Sequence, residues 1–316
     1  MNELFRYMLK IIFNPRFIAL LAMLITSCKD LSESSPTIGK TKIACDIQIK
    51  DLMLQQEAIF EQRYKYADLT LEFFNERDLM QLWLADSFRN VIIGRPLDSL
   101  EIRHFKVNQQ VSPRHFPFAV GAIALLTHQN NRDSSLTYED FLDLCAGRKN
   151  DNVRYSTLVI EDSGSGVALY ILDLLKSEKF TGSVYALNTK MAIIDYLKKN
   201  PNAIAAVDWA EFSDSDDSQK KSLLNGLQRL AISRPLDSLQ YGFLLPDQYN
   251  LQDKRYPLQR TWQFISCSGK SDLALGFASF VAGEIGQKIV LKAGMLPIFQ
   301  TERWIEFTNG DYKIVN

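Results

Sequence analysis

Residues 158–172 read LVIEDSGSGVALYIL, and the interpretation of the whole chain starts from them. A short β-branched run gives way to small residues, which open directly into a helical pattern. This order predicts a strand, a glycine–serine turn and a helix N-terminus. The first free N–H groups of such a helix and the positive end of its dipole point into the turn, so the turn is able to hold an oxyanion. The alternative is purely structural, with Ser163 capping the helix.

The turn itself supplies five candidate ligand-binding residues. Glycines let the backbone approach an anion closely, and serine hydroxyls add hydrogen-bond donors. The candidates are Asp162, Ser163, Gly164, Ser165 and Gly166.

Strand and helix patterns alternate on both sides of this turn. Strand patterns at residues 42–46, 69–74 and 90–97 are separated by helical spacing of apolar residues. The order strand, helix, strand, helix, strand predicts an α/β fold with a parallel sheet. Further strands are predicted at residues 118–126, 203–207, 230–232, 262–265 and 305–307, and helices from Thr137 to Gly147, at 192–197 and at 273–291.

Composition and motifs exclude several classes of function. The 316 residues carry a formal net charge of −1, so no basic surface for nucleic acid is expected. The three histidines have neither HxH nor HExxH spacing, so no metal site is expected. The chain also lacks a nucleophile elbow, a P-loop lysine and a dinucleotide fingerprint. We therefore predict no enzyme activity, no catalytic residues and no cofactor.

The N-terminus is typical of a targeting segment. Basic residues precede a short apolar run at residues 17–25, which is the pattern of a secretory signal and is too short to span a bilayer permanently. Residues 25–28, ITSC, resemble a bacterial lipobox, which makes Cys28 the predicted lipidation site. An ordinary signal peptide or a membrane anchor is the alternative.

These observations predict a signal peptide at residues 1–27 and a lipidated, flexible tether at residues 28–41. The expected location is the cell envelope, with the protein held on the membrane by its N-terminal lipid. It would face the periplasm or be an outer-membrane lipoprotein.

Three cysteines remain once Cys28 is set aside: Cys45, Cys145 and Cys267. Their number is odd and no CxxC pair occurs, so the spacing does not indicate disulfides. We interpret all three as small buried apolar residues.

The C-terminal third carries a resemblance to a known family. Residues 256–260, YPLQR, and 276–297, GFASFVAGEIGQKIVLKAGMLP, closely resemble the phosphate-binding substrate-binding proteins of ABC importers. The match is closest to a lipoprotein branch found in Bacteroidetes-type bacteria, and residues 200–205, NPNAIA, resemble the family's entry into a strand.

The resemblance implies a two-lobe type 2 periplasmic-binding-protein fold with two interlobe crossovers. Its lobes would close on a ligand held between strand ends and helix N-termini. The first lobe would comprise residues 42–116 and 229–316, and the second residues 117–228.

The family's central turn reads R-x-x-x-S-G-T, and this chain departs from it at two positions. Ser165 and Gly166 match, whereas Glu161 stands where the family has Arg and Val167 where it has Thr. A carboxylate in place of a bidentate guanidinium reverses the local charge and weakens anion binding.

Candidate residues of the first lobe follow from the same resemblance. Gly94 and Arg95 match the family's S-R-P-L turn, and Arg95 is the best replacement for the missing Arg; a surface charge or an ion pair between the lobes is its alternative role. Asp46 is either an N-cap or an acceptor for a protonated ligand, and Asn75 either donates to the ligand or caps a helix.

Two hypotheses about function remain. The first is a solute-binding lipoprotein that captures phosphate or a related small anion for an ABC permease, which requires Arg95 to face the glycine–serine bend with a cleft beside it. The second is a degenerate binding fold that serves as a scaffold or partner-binding subunit for another envelope protein, without ligand transport. The intact bend and Arg95 favour the first hypothesis; Glu161, Val167 and Asp46 favour the second.

Overall fold

The computed structural model describes residues 34–148, 155–236, 238–299, 304–308 and 311–315. The predicted signal peptide and Cys28 lie outside the described residues. The strands are β1 Ile38–Asp46, β2 Tyr66–Phe74, β3 Asn90–Ile93, β4 Arg114–His128, β5 Ser135–Leu136, β6 Thr157–Ile160, β7 Val184–Ala186, β8 Ala203–Asp208, β9 Leu227–Ser233, β10 Phe243–Leu244, β11 Gln259–Ser266, β12 Leu296–Pro297, β13 Trp304–Thr308 and β14 Asp311–Val315. The α-helices are α1 Lys50–Arg63, α2 Glu76–Leu84, α3 Ser99–His104, α4 Tyr138–Ala146, α5 Gly166–Leu175, α6 Lys190–Lys199, α7 Ser218–Leu223, α8 Ser238–Tyr241, α9 Gln248–Gln252, α10 Leu273–Ala282 and α11 Glu284–Lys292.

One large sheet runs through the protein in the order β2-β1-β3-β11-β4-β8-β6-β7. Strand β1 pairs in parallel with β2 and β3, and β6 pairs in parallel with β7 and β8. Strands β11 and β4 are antiparallel to their neighbours and connect the two parallel groups. The predicted α/β fold with two crossovers is therefore confirmed. We call the group with β1, β2 and β3 the first lobe and the group with β6, β7 and β8 the second lobe.

Alternate residues of the parallel strands pack on opposite faces of the sheet. In β1, Ile43 and Cys45 join a core cluster with Phe277, whereas Ala44 between them joins another with Trp83. The second lobe repeats the arrangement, because alternate residues of β6 and β8 also enter two different clusters. Both faces of each lobe are thus covered, which explains the near-continuous apolar runs of these strands.

The predicted lobe limits remain a prediction, and the packing favours different ones. Strand β4 runs without interruption across the limit at residues 116/117. Leu230, Ile232 and Leu258 pack in the same cluster as Phe141 and Leu158 of the second lobe. We therefore propose that the chain returns to the first lobe at β11 rather than at residue 229.

The helix predicted over residues 273–291 is wrong in one respect. Two helices, α10 and α11, meet at Gly283 with a bend of 60°. The apolar pattern continues across the break because Phe277 on α10 and Val290 on α11 pack into one core cluster. Among the described residues no single helix is long and apolar enough to cross a membrane. Helices α10 and α11 have the length and composition of a membrane span only when the two are counted together.

Most other local predictions are confirmed, with shifted limits. Thr137 caps α4 by accepting from the Asp140 N–H, and Gly147 ends that helix in the left-handed conformation at φ 65°. Strand β1 begins at Ile38, so the end of the predicted tether is part of the sheet, and β11 begins three residues before the predicted strand. In the part of the chain that the structure describes, three cysteines are buried with free thiols: Cys45, Cys145 and Cys267.

Gly276 provides a test of how the start of the described chain packs on α10. An alanine inside a helix normally stabilises it by about 1 kcal/mol relative to glycine, but a Cβ on Gly276 would collide with the Pro36 carbonyl oxygen. We expect Gly276→Ala to lower the free energy of unfolding by about 1–3 kcal/mol in urea denaturation. Gly269→Ala is the matched control, since a Cβ on Gly269 would meet nothing within 4 Å. A Gly276→Ala protein as stable as wild type would refute this packing.

Candidate functional site

Arg260 is the centre of the junction between the lobes. It is the second residue of β11, and its side chain is 1% exposed. Its Nη1 donates to Asp208 Oδ2 at 2.6 Å and to Gln48 Oε1 at 2.9 Å, and its Nη2 donates to Glu76 Oε2 at 3.1 Å. Asp208 ends β8 of the second lobe, whereas the other two acceptors follow strands of the first lobe. The guanidinium therefore connects the two lobes.

Two predicted site glycines make room for this guanidinium. Gly94 follows β3 and Gly166 opens α5, and a Cβ on either would collide with Arg260 Nη2. The Arg260 Cζ also lies 4.8 Å from the ring centroid of Trp262, a cation–π contact. The group that approaches both glycines in this structure is thus a side chain of the protein itself.

Arg95 extends the network within the first lobe. Its Nε donates to Glu76 Oε1 at 2.6 Å, and its Nη1 and Nη2 donate to the two Glu101 oxygens at 2.8 Å each. Burial lowers the pKa of Arg95, but the hydrogen bonds and charges of Glu101 and Glu76 outweigh it and raise that pKa above its ordinary value. Both carboxylates belong to the first lobe, so these ion pairs do not connect the lobes.

The N-terminus of α2 lies directly against the glycine–serine turn. Asn75 Nδ2 donates to Asp162 Oδ2 at 3.0 Å, and Arg77 Nη2 donates to the Ser163 carbonyl at 2.9 Å. The Arg77 N–H also donates to the Gly164 carbonyl at 3.0 Å. Asn75 also caps α2, since its Oδ1 accepts from the Asp78 N–H, whereas donation from Asn75 to a ligand stays a prediction.

Ser165, rather than Ser163, caps α5. Its Oγ accepts from the Ala168 N–H at 3.2 Å and donates to the Asp162 carbonyl at 2.7 Å. Ser165 is buried, whereas Ser163 is exposed. The alternative structural role is therefore filled two residues later than the sequence suggested.

Asp46 performs the capping role proposed for it. Its Oδ1 accepts from the Gln48 N–H at 3.0 Å, while its Oδ2 lies 3.6 Å from Arg260 Nη2 and has no hydrogen bond to any described group. Burial raises the pKa of the Asp46 carboxyl to about 7, against the effect of Arg260 and with the help of Glu76 and Asp208. The network thus contains an acid that titrates near neutral pH.

Further acids lie next to this network. Lys190 Nζ pairs with Glu211 Oε1 at 2.8 Å, and Glu161, in the position where the family has Arg, interacts with both. Burial raises the pKa of Glu161 and of Glu211. Arg95 and Arg260 therefore sit among more carboxyl groups than they can neutralise, so the closed junction has no surplus positive charge for a further anion.

A cavity of about 440 Å³ opens beside the bend and is lined by Arg95, Gly166, Tyr170 and Arg260, with Glu76 at its wall. Arg95 and Gly166 thus line the same cavity, and the Arg95 guanidinium is paired there with Glu76 and Glu101. Its contact with a ligand stays a prediction. No group of three or more His, Cys, Asp or Glu side chains in the described part of the chain is arranged to hold a metal ion.

The structure adds residues that the sequence prediction omitted. Asp208 directly follows the strand predicted at 203–207, and Glu76 follows Asn75 at a predicted helix start. The rule that ligands bind at strand ends therefore points to both. Arg260 lies two residues before the strand predicted at 262–265, whereas β11 begins at Gln259. The omitted network residues are Gln48, Glu76, Glu101, Asp208 and Arg260.

Comparison with known proteins gives one family and a set of similar folds. Residues 31–284 match a family model described as a PBP superfamily domain. A putative phosphate ABC transporter substrate-binding protein with bound phosphate from Clostridium perfringens is 15% identical, with 83% of this chain and 100% of that chain covered and a TM-score of 0.65.

Two further solved structures show the same likeness. An ABC-type phosphate transport receptor from Vibrio cholerae is 13% identical, with 82% of this chain and 100% of that chain covered and a TM-score of 0.63. PstS from Borrelia burgdorferi is 18% identical, with 83% of this chain and 99% of that chain covered and a TM-score of 0.54. At such identities the likeness is one of fold. The comparison with curated proteins finds no match.

The pKa of Asp46 leads to a prediction about pH. Because its folded-state pKa lies above the unfolded value, the folded protein keeps a proton that the unfolded chain releases between about pH 4 and pH 7. Stability should fall as the pH rises through this window and level off above it. Asp46→Asn retains an oxygen for the Gln48 N–H but does not ionise, so it should remove on the order of a few kcal/mol of this fall.

Urea denaturation at about pH 5 and about pH 8 measures the effect. Some slope should persist in Asp46→Asn, because burial also raises the pKa of Asp208 and Glu211. Asp68→Asn, at an exposed ion pair with Lys40, is the control and should keep the wild-type difference. An Asp46→Asn protein with the full wild-type pH dependence would contradict the assignment.

Proposed function

Because the chain belongs to the PBP superfamily, we propose that it is a solute-binding lipoprotein that captures phosphate or a related small oxyanion for an ABC importer. One observation carries the proposal. The guanidinium groups of Arg95 and Arg260 converge on a carboxylate, that of Glu76, beside a cavity and at the N-terminus of α5. A site that holds a carboxylate in this way has the donors that an oxyanion needs.

The chemistry of binding follows from these donors. An oxyanion between Arg95 and Arg260 would receive charge-assisted hydrogen bonds from both and the favourable field of the helix N-terminus. Asp46 has one oxygen free of hydrogen bonds among the described groups. Once it has lost its own proton, above about pH 7, it is suited to accept the proton that HPO₄²⁻ retains and sulfate lacks. Gly164, Ser165 and Gly166 shape the bend that allows this approach.

Ligand exchange requires the lobes to separate, because the network is buried. Strands β4 and β11 carry the chain between the lobes, so rotation about these two strands is the expected motion. A lipid on Cys28 would hold the protein in the cell envelope, facing the periplasm or as an outer-membrane lipoprotein. Its partner would be an ABC permease.

A second candidate function is favoured by a different observation. The lobes are joined by contacts of the chain itself, through Arg260 and through the contacts of Asn75 and Arg77 with the bend. A binding fold closed by its own side chains could serve as a scaffold or partner-binding subunit of the envelope. The solute-binding protein is expected to change the arrangement of its lobes when ligand is added, whereas the scaffold is not.

Calorimetric titration tests the proposal. We expect saturable heat with phosphate, weaker heat with sulfate and none with amino acids. Arg95→Gln should weaken phosphate binding at least about 10-fold, because it removes charge-assisted donors. Arg89→Gln is the matched control, since Arg89 pairs with Asp86 at an exposed site of the same lobe and should bind like wild type. If millimolar phosphate produces no heat and no thermal shift, and the scattering curves with and without phosphate superimpose, the scaffold is favoured instead.

A further inference from the structure

We propose that Glu76 is an internal anion whose carboxylate occupies the oxyanion position, so that a ligand binds only by displacing it. The inference rests on the proposed function and adds a regulatory feature to its site. It concerns a residue of the first lobe that the sequence prediction omitted.

The contacts of Glu76 are those of a bound anion. One carboxylate oxygen accepts from Arg95 at 2.6 Å and the other from Arg260 at 3.1 Å. The side chain is 1% exposed, so two guanidinium groups hold it away from bulk water. Its Oε2 lies 2.6 Å from the place that a Cβ on Gly166 would take, at the first residue of α5. Guanidinium groups, a helix N-terminus and exclusion of water together form an anion site.

The rest of α2 does not depend on this carboxylate. Asn75, not Glu76, caps the helix through the Asp78 N–H. The cavity of about 440 Å³ borders Glu76 and gives the side chain space into which it can rotate. Once the lobes have separated to admit a ligand, displacement therefore requires only a rotamer change of one side chain, and the cap of α2 stays in place.

Displacement has consequences for affinity and for selectivity. The observed affinity is the intrinsic affinity of the site reduced by the fraction of molecules in which Glu76 has left it. A singly charged carboxylate already satisfies both guanidinium groups, so a monoanion gains little by replacing it. A doubly charged oxyanion gains more from the same donors, against the repulsion of Glu101 and Asp208, which stay paired with them. The internal anion thus disfavours monoanions.

Variants at Glu76 test the inference in the full chain. We expect Glu76→Ala to bind phosphate at least 10-fold more tightly than wild type, because the competing carboxylate is gone. Added acetate should raise the melting temperature of Glu76→Ala by filling the vacated position and should leave that of wild type unchanged. Glu76→Gln has the same shape without the charge. It replaces Glu76→Ala in the phosphate titration if the alanine variant does not fold.

Two other variants test whether the effect depends on the place that the Glu76 carboxylate fills or only on the number of negative charges. Glu101→Gln removes one carboxylate from Arg95 without vacating the place next to Gly166, so acetate should not stabilise it. Glu72→Gln, at an exposed pair with Lys42 on β2, should behave as wild type in both assays.

The outcomes distinguish this inference from the proposed function. Wild-type binding of phosphate with no gain in either Glu76 variant and no response to acetate would overturn the internal anion and leave the proposed function standing. A silent wild type with a Glu76→Ala protein that binds phosphate would support the internal anion. Failure of both proteins to bind phosphate or acetate would overturn both.

Discussion

The junction of this protein depends on one buried guanidinium, that of Arg260. Removing a charged group from water costs several kcal/mol unless partners replace its hydration. Asp208 and Glu76 supply the opposite charge and Gln48 a neutral acceptor, each from the end of a different strand. Gly94 and Gly166 then have to lack side chains, because the guanidinium fills the space a Cβ would need. The identity of five other residues thus follows from where one Arg is placed.

The same burial shapes the chemistry of the neighbouring acids. Arg260 faces Asp46 without a direct hydrogen bond to it, and its charge does not fully offset the loss of hydration that raises the pKa of that carboxyl to about 7. Burial likewise raises the pKa of Asp208, although its short contact with the guanidinium opposes the shift. A region with more acids than bases is tolerated because two of its acids, Asp46 and Asp208, hold protons more tightly than exposed carboxyls do.

Particular residues show how much of the structure can be predicted from the sequence. Local signals are read correctly where a short segment determines its own structure: Thr137 caps its helix and Gly147 ends it. Signals fail where a distant contact decides. The break at Gly283 is hidden because both flanking helices pack on one cluster, and Arg260 finds partners 52 to 212 positions away along the chain. Composition and periodicity contain no information about such pairs, whereas the rule that sites form at strand ends does, and it points to Asp208.

The internal anion also accounts for how Arg95 and Arg260 are paired. Each guanidinium has a carboxylate of its own, Glu101 for Arg95 and Asp208 for Arg260. A further negative charge in the buried space between the two guanidinium groups would come either from a ligand or from the chain itself. Glu76 is placed to supply it, between Arg95 and Arg260 and next to the N-terminus of α5. Glu76 and a ligand then compete for the same two guanidinium groups, so a carboxylate that helps to hold Arg260 in place also limits the affinity for an anion.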